Sequence, residues 1–330
     1  MSDRTLFVRP PKGRTEHARW RQGGGEGKRP AEVYLARVAP GGLRNQRSLL
    51  NRMARFMSSN QHDALSFPWH EVGYADVAAL RERLVASVNY RTTNNYLKAL
   101  RSVLREAKRL KLMSPEAFEA ACDVAPVKGE SLPAGRHVTA DEVDTLFAYL
   151  DGLSTAAGIR DRAAFALLRA TGIRRAELCG LTLDCYDPTN AVLTVRGRHN
   201  HSNRSREVYV PDWAISYVEE WLDWRGRSPG ALVCRLDRYG NVYPSAHLDL
   251  KSFWRNFADR VEQSGIPYCT PHDLRRTWVG DQLEAGHDLV KVQKAAGHAS
   301  PVQTARYDRR GLASRRSLAD SIARPNGGAR

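Results

Sequence analysis

Residues 297–307 read GHASPVQTARY and continue as DRR, so His298 precedes by nine residues a tyrosine, Tyr307, set among arginines. A phenol with an ordinary pKa of about 10 is a weak nucleophile at neutral pH; a nearby imidazole and cationic surroundings can take its proton or stabilise its oxyanion. Two other stretches supply complementary chemistry. In TGIRRAELCGL, Arg174 follows a Thr-Gly turn at the start of a helix, where backbone N–H groups and a guanidinium can both face an anion. In TPHDLRRT, His272 and Arg275 are three residues apart, on one face of a helix that Pro271 helps begin. Each motif alone is common; their combination suits phosphoryl transfer to tyrosine. A phosphodiester attacked by a phenolic oxygen gains charge on its non-bridging oxygens, which paired guanidiniums can hold, and Arg174 and Arg275 are the candidates. Glu177 and Asp273 read as carboxylates that orient arginines, because an acid beside a transferring phosphate would repel it.

The elements that must position these groups are mostly helical. With 330 residues and 42% apolar composition the chain can form two domains, and its net charge of +15 favours a polyanionic partner such as a nucleic-acid backbone over a membrane surface. No apolar run approaches a spanning helix, and the N-terminus lacks a signal peptide's apolar core, which leads to the expectation of a cytoplasmic protein. Cys122, Cys179, Cys185, Cys234 and Cys269 lack CxxC spacing, so neither a disulfide framework nor a zinc site is suggested.

Residues 1–30 carry eight Lys/Arg against three Asp/Glu and read as a flexible basic arm. Apolar residues three and four apart predict four or five helices over 31–125. DVAPVKGESLPAGRHV reads as a linker over 126–137. A capping box of Thr139 and Glu142 opens the second domain, 138–324, and 325–330 reads as a disordered tail. AVLTVRG and SREVYV predict a β-hairpin around the turn RHNHSN, with helices from about 211 onward. The helix beginning near Thr92 carries Lys98, Arg101, Arg105 and Lys108, with Arg91 just before it, beside an apolar face of Leu97, Leu100, Leu104 and Ala107. One side can pack while the other meets phosphates, in a salt-dependent way that carries no sequence information.

These motifs resemble those of the tyrosine recombinase (phage integrase) family, which includes the Xer-type enzymes. The family's first box stands as Thr171, Gly172, Arg174, Glu177 and Leu178, its second as His272, Asp273, Leu274 and Arg275, and its last as Gly297, His298, Ser300, Thr304 and Tyr307. The resemblance implies a mainly α (α+β) fold: an N-terminal helical, SAM-like core-binding domain and a mostly helical catalytic domain with a small antiparallel sheet, together clamping duplex DNA. It implies a site-specific recombinase in which Tyr307 forms a 3′-phosphotyrosyl bond and releases a 5′-hydroxyl, without ATP or a metal. Four protomers would assemble on paired inverted-repeat sites in the nucleoid, with accessory DNA-bending proteins as further partners, and residues 312–323 would form a helix that docks on a neighbouring subunit or packs on its own.

One departure stands out. Where the family has a lysine on the hairpin that protonates the departing 5′-oxygen, this chain has Arg198 after Gly197, and no lysine occurs between Lys128 and Lys251. Arginine keeps the charge but is a poor proton donor at neutral pH. Three readings compete: Arg198 stabilises the leaving oxygen while water protonates it, His199 or His201 is the acid, or cleavage is impaired. The last would make the chain a DNA-binding accessory factor, and a type IB topoisomerase-like relaxing activity is the other alternative.

Overall fold

The computed structural model describes residues 29–129, 135–196 and 205–309. The expectations for most of the basic arm, for Arg198, His199 and His201, for residues 312–323 and for the tail lie outside the described residues. The chain divides into two compact units, Met1–Ser131 and Leu132–Arg330.

In the first unit, α1 (Pro30–Ala36), α2 (Pro40–Met57), α3 (Tyr74–Ser87), α4 (Tyr90–Arg109) and α5 (Pro115–Cys122) surround one core. Helix α4 is its centre, burying Tyr96, Leu97, Leu100, Val103 and Leu104 against Leu50, Met53, Leu80, Leu84 and Trp69. Each such side chain contributes about 1.5–3 kcal/mol by leaving water. α4 begins two residues earlier than the sequence predicts, because the Asn89 side chain caps it by accepting the Thr92 N–H at 2.9 Å.

The second unit begins with α6 (Ala140–Asp151), opened by the Thr139–Glu142 capping box. It continues with α7 (Ala156–Thr171) and α8 (Arg175–Leu178), then strands β1 (Tyr186–Asp187), β2 (Val192–Val195) and β3 (Arg206–Tyr209). Helix α9 (Asp212–Arg225) leads to strands β4 (Cys234–Leu236) and β5 (Val242–His247). Helices α10 (Leu250–Gln263), α11 (Pro271–Glu284), α12 (Leu289–Ala296) and α13 (Pro301–Ala305) close the described chain. α7 is buried on every side, with Phe165 stacked on Phe257 at 4.4 Å between ring centroids. Its charged residues are tolerated there because they pair: Arg160 and Arg260 both reach the buried Asp161, at 2.6 and 3.1 Å.

β1, β2 and β3 form one antiparallel sheet, in which Val195 pairs with Arg206 across the expected hairpin. The prediction of helices alone after 211 is corrected by a second sheet, β4–β5. β4 has three residues, too few to display alternation, and Pro244 interrupts β5, which only a sheet edge tolerates. The predicted linker is also tied down at both ends. The Val127 N–H donates to Asn94 Oδ1 at 2.9 Å, while Arg136 N–H and Val138 N–H donate to Asp273 Oδ1 and Thr277 Oγ1 in the second unit, both at 2.9 Å.

Candidate active site

All three motifs converge on one open cavity of about 260 Å³, lined by Arg174, His272, Arg275, His298, Gln303, Arg306 and Tyr307. Gln303 and Arg306 belong to the last motif's helical turn and drew no separate signal from the sequence.

The first motif reaches the site through a forced turn. α7 ends at Gly172, whose φ of 61° is left-handed and whose Cβ, if present, would lie 2.4 Å from the Trp278 ring. The chain then reverses, and Arg174 sits just before α8 with its backbone N–H on Glu177 Oε2 at 2.8 Å. The Arg174 guanidinium is held from both sides, donating to Glu177 Oε1 at 2.9 Å and to the Gly297 carbonyl at 2.6 Å. Burial disfavours the charge on Glu177, but hydrogen bonds from Arg206 and from the Arg174 N–H, with the charges of both arginines, outweigh it and bring the pKa down to about 2.

The second motif lies on α11, begun by Pro271 and capped by Thr270. Arg275 is 3% exposed and donates to the Gly172 carbonyl at 2.5 Å and the Ala296 carbonyl at 2.6 Å, bridging the other two motifs. Burial and the nearby Arg174 charge push its pKa down to about 9, which leaves it protonated at neutral pH. Asp273 corrects a sequence expectation. Rather than an arginine side chain, it holds the Thr270 N–H and hydroxyl and the Arg136 backbone N–H, so its carboxylate caps α11 and anchors the start of the unit.

The third motif follows α12, which ends at Gly297 with φ 65°. His298 Nδ1 lies 2.9 Å from Thr304 Oγ1, leaving Nε2 for the cavity. α13 then returns Tyr307 so that its ring stacks against His298 at 5.7 Å and 27°, with the Arg276 guanidinium 5.3 Å from its centroid. The Tyr307 hydroxyl is 3.5 Å from His272 Nε2. Burial, then Arg275 and Arg276, lower the His272 pKa; burial, then Arg275 and Arg174, lower that of His298 to about 4. Both imidazoles are therefore neutral at pH 7.

A histidine with a depressed folded-state pKa binds fewer protons folded than unfolded, so stability rises with pH between about 4 and the ordinary 6.5. The urea midpoint of the wild-type protein is expected to climb across this interval more steeply than that of His298→Gln. Equal slopes would contradict the assignment.

Of the five cations predicted to meet phosphates on the first unit, Arg91, Lys98 and Arg105 are exposed on α4 at seven-residue spacing. The other two are engaged by residues 118–124 of the same unit. Arg101 donates to the Val124 carbonyl, and Lys108 lies 5.0 Å over the Phe118 ring and 3.9 Å from Glu119. Both remain partly exposed. Among the described residues no group of three or more His, Cys, Asp or Glu could hold a metal ion, and no helix is long and apolar enough to cross a membrane.

Comparison with known proteins gives the family of the chain. The phage integrase family profile matches residues 136–311. Tyrosine recombinase XerC of Roseiflexus castenholzii is 28% identical over 256 residues, covering 74% of this chain and 77% of that protein. Tyrosine recombinase XerD of Mycobacterium leprae is 31% identical over 194 residues, covering 55% and 58%. In fold, the chain resembles the Tn1549 transposon integrase in complex with a circular intermediate DNA, with a TM-score of 0.67, 17% identity and coverage of 90% of this chain and all of that one. It likewise resembles a lambda integrase dimer bound to a COC′ core site, with a TM-score of 0.62, 17% identity and coverage of 85% and 93%. The chain belongs to the phage integrase family. It is a tyrosine site-specific recombinase, mainly helical with small antiparallel sheets.

Proposed function

We propose that this recombinase cuts and rejoins duplex DNA at paired inverted-repeat sites, with Tyr307 as nucleophile and Arg174, His272, Arg275 and His298 around the scissile phosphate. The observation that carries this reading is the convergence of these five side chains, drawn from three separated motifs, on one cavity. The neutral His272 accepts the Tyr307 proton as the phenolic oxygen attacks phosphorus. The bond from phosphorus to the 5′-oxygen breaks, that oxygen takes a proton from water to become the 5′-hydroxyl, and a 3′-phosphotyrosyl bond remains. Because that bond keeps the phosphodiester's energy, a 5′-hydroxyl from the partner duplex can reverse the step without a cofactor. In this reading the Thr304 hydroxyl donates to His298 Nδ1, so that His298 carries its proton on Nε2 and donates it as a hydrogen bond to a non-bridging oxygen. Arg174 and Arg275 neutralise the charge developing there.

Arg91, Lys98 and Arg105 hold the DNA backbone, with Arg101 and Lys108 at the margin of that contact. The solved integrases that share the fold are bound to DNA, which supports duplex DNA as the partner. The assembly is a homotetramer acting in the cytoplasm on nucleoid DNA, with accessory bending proteins as partners. Covalent capture tests the reading: protein mixed with fragmented source DNA is denatured in detergent, and the linked ends are sequenced. Adducts on 3′-ends at one recurrent sequence are expected; specific binding without adducts would sink the catalytic assignment.

Arg198 stabilises the departing 5′-oxygen in this scheme. A sulfur at the 5′-bridging position leaves as a thiolate and needs no such help. Arg198→Ala is expected to cleave ordinary DNA about 10–100-fold more slowly than wild type, and to recover most of that loss on the sulfur substrate. An equal rate advantage from sulfur in both proteins would remove Arg198 from the leaving-group role.

A further inference from the structure

Arg206 belongs to none of the three motifs and does not line the cavity, yet its side chain joins two of them. It stands on β3, with its side chain 16% exposed. Its Nε–H donates to the Ala295 carbonyl at 2.8 Å, near the end of α12, and its Nη1 and Nη2 donate to Glu177 Oε1 and Oε2 at 3.1 and 2.7 Å. Each Glu177 oxygen thus takes one N–H from Arg206 and one from Arg174. The far side of the Arg174 guanidinium rests on the Gly297 carbonyl, and a Cβ on Gly297 would lie 2.8 Å from Arg206 Nη1. Arg206 therefore underlies both supports of Arg174, the carboxylate and the glycine turn.

We infer that Arg206 is a positioning residue that locks Glu177 and the end of α12 together so that Arg174 stays aimed at the scissile phosphate. This rests on the assignment of Arg174 to that phosphate. A fork of two parallel N–H donors fixes both the distance and the plane of the carboxylate, which a point charge does not. Since β3 is the return strand of the hairpin from β2, the register of that hairpin sets where the phosphate-binding arginine lies.

The test measures single-turnover formation of the covalent adduct at saturating DNA, on an ordinary phosphodiester and on a methylphosphonate at the scissile position. The methylphosphonate is neutral and leaves Arg174 less charge to meet. Arg206→Gln is expected to slow the phosphodiester reaction about 10–100-fold, with DNA affinity changed by no more than about twofold. The double variant Arg174→Gln/Arg206→Gln is expected to be no slower than Arg174→Gln alone, because both act through one group. The methylphosphonate is expected to shrink the defects of the two single variants by the same factor. Multiplicative losses in the double variant, or an Arg206→Gln defect that the methylphosphonate leaves intact, would overturn the inference by pointing to general structural damage. Should Arg206→Gln fail to fold, Arg206→Lys serves, since it keeps the charge without the fork; a wild-type rate from folded Arg206→Lys overturns the proposal equally. Absence of any wild-type adduct would instead bring down the functional reading, whereas wild-type adduct with an unaltered Arg206→Gln rate removes only this role.

Discussion

Tyr307→Phe is expected to abolish the protein–DNA adduct, lowering its single-turnover rate by at least about 10⁴-fold, while leaving DNA affinity within about twofold of wild type. The substitution removes one oxygen and keeps the ring. That ring packs against the cluster of Trp278, Val279, Leu283, Val292 and Ala296 and stacks on His298, and neither contact involves the hydroxyl. The hydroxyl's nearest partner, His272 Nε2 at 3.5 Å, is beyond ordinary hydrogen-bond length, so its loss costs well under the about 1 kcal/mol of a typical bond. Stability is thus expected to stay close to wild type, and a lost adduct reads as lost chemistry. Detergent-resistant DNA attached to the Phe variant would assign the nucleophile elsewhere.

Arg275→Gln is expected to lose both chemistry and stability. Its two shortest hydrogen bonds go to the carbonyls of Gly172 and Ala296, which end the turns carrying the first and third motifs. A buried carbonyl left without its donor costs about 1–3 kcal/mol, and a glutamine amide cannot span both. In the proposed reaction the guanidinium also supplies charge to the five-coordinate phosphorus. Adduct formation is therefore expected to fall about 10²–10⁴-fold at saturating DNA, with a denaturation midpoint well below wild type. Arg174→Gln, at a position whose side chain is 43% exposed, is expected to match the first loss but not the second. Cleavage by Arg275→Gln within tenfold of wild type would remove Arg275 from the phosphate. This contrast separates two arginines that the sequence presents as equivalent.

Residue types and their spacing along the chain singled out Tyr307, His272, His298, Arg174 and Arg275 as candidates that line one cavity, because each motif is a short segment whose local geometry is dictated nearby. Pro271 and Thr270 start α11 from within four residues, Gly172 and Gly297 supply left-handed turns, and Thr139 with Glu142 opens α6. The central amphipathic helix α4 and the β2–β3 pairing were legible for the same reason, since periodicity is a local property. Tertiary structure alone decided which partners those residues took. Glu177 meets Arg206 across 29 residues, Arg174 meets Gly297 across 123, and Arg275 bridges two turns that no sequence period connects. It turned Asp273 into a cap, tied Arg101 and Lys108 to Val124 and Phe118, and added the short β4–β5 sheet. Such contacts arise from packing between distant segments, where burial makes every unpaired polar group costly and so selects the pairings that satisfy all of them at once.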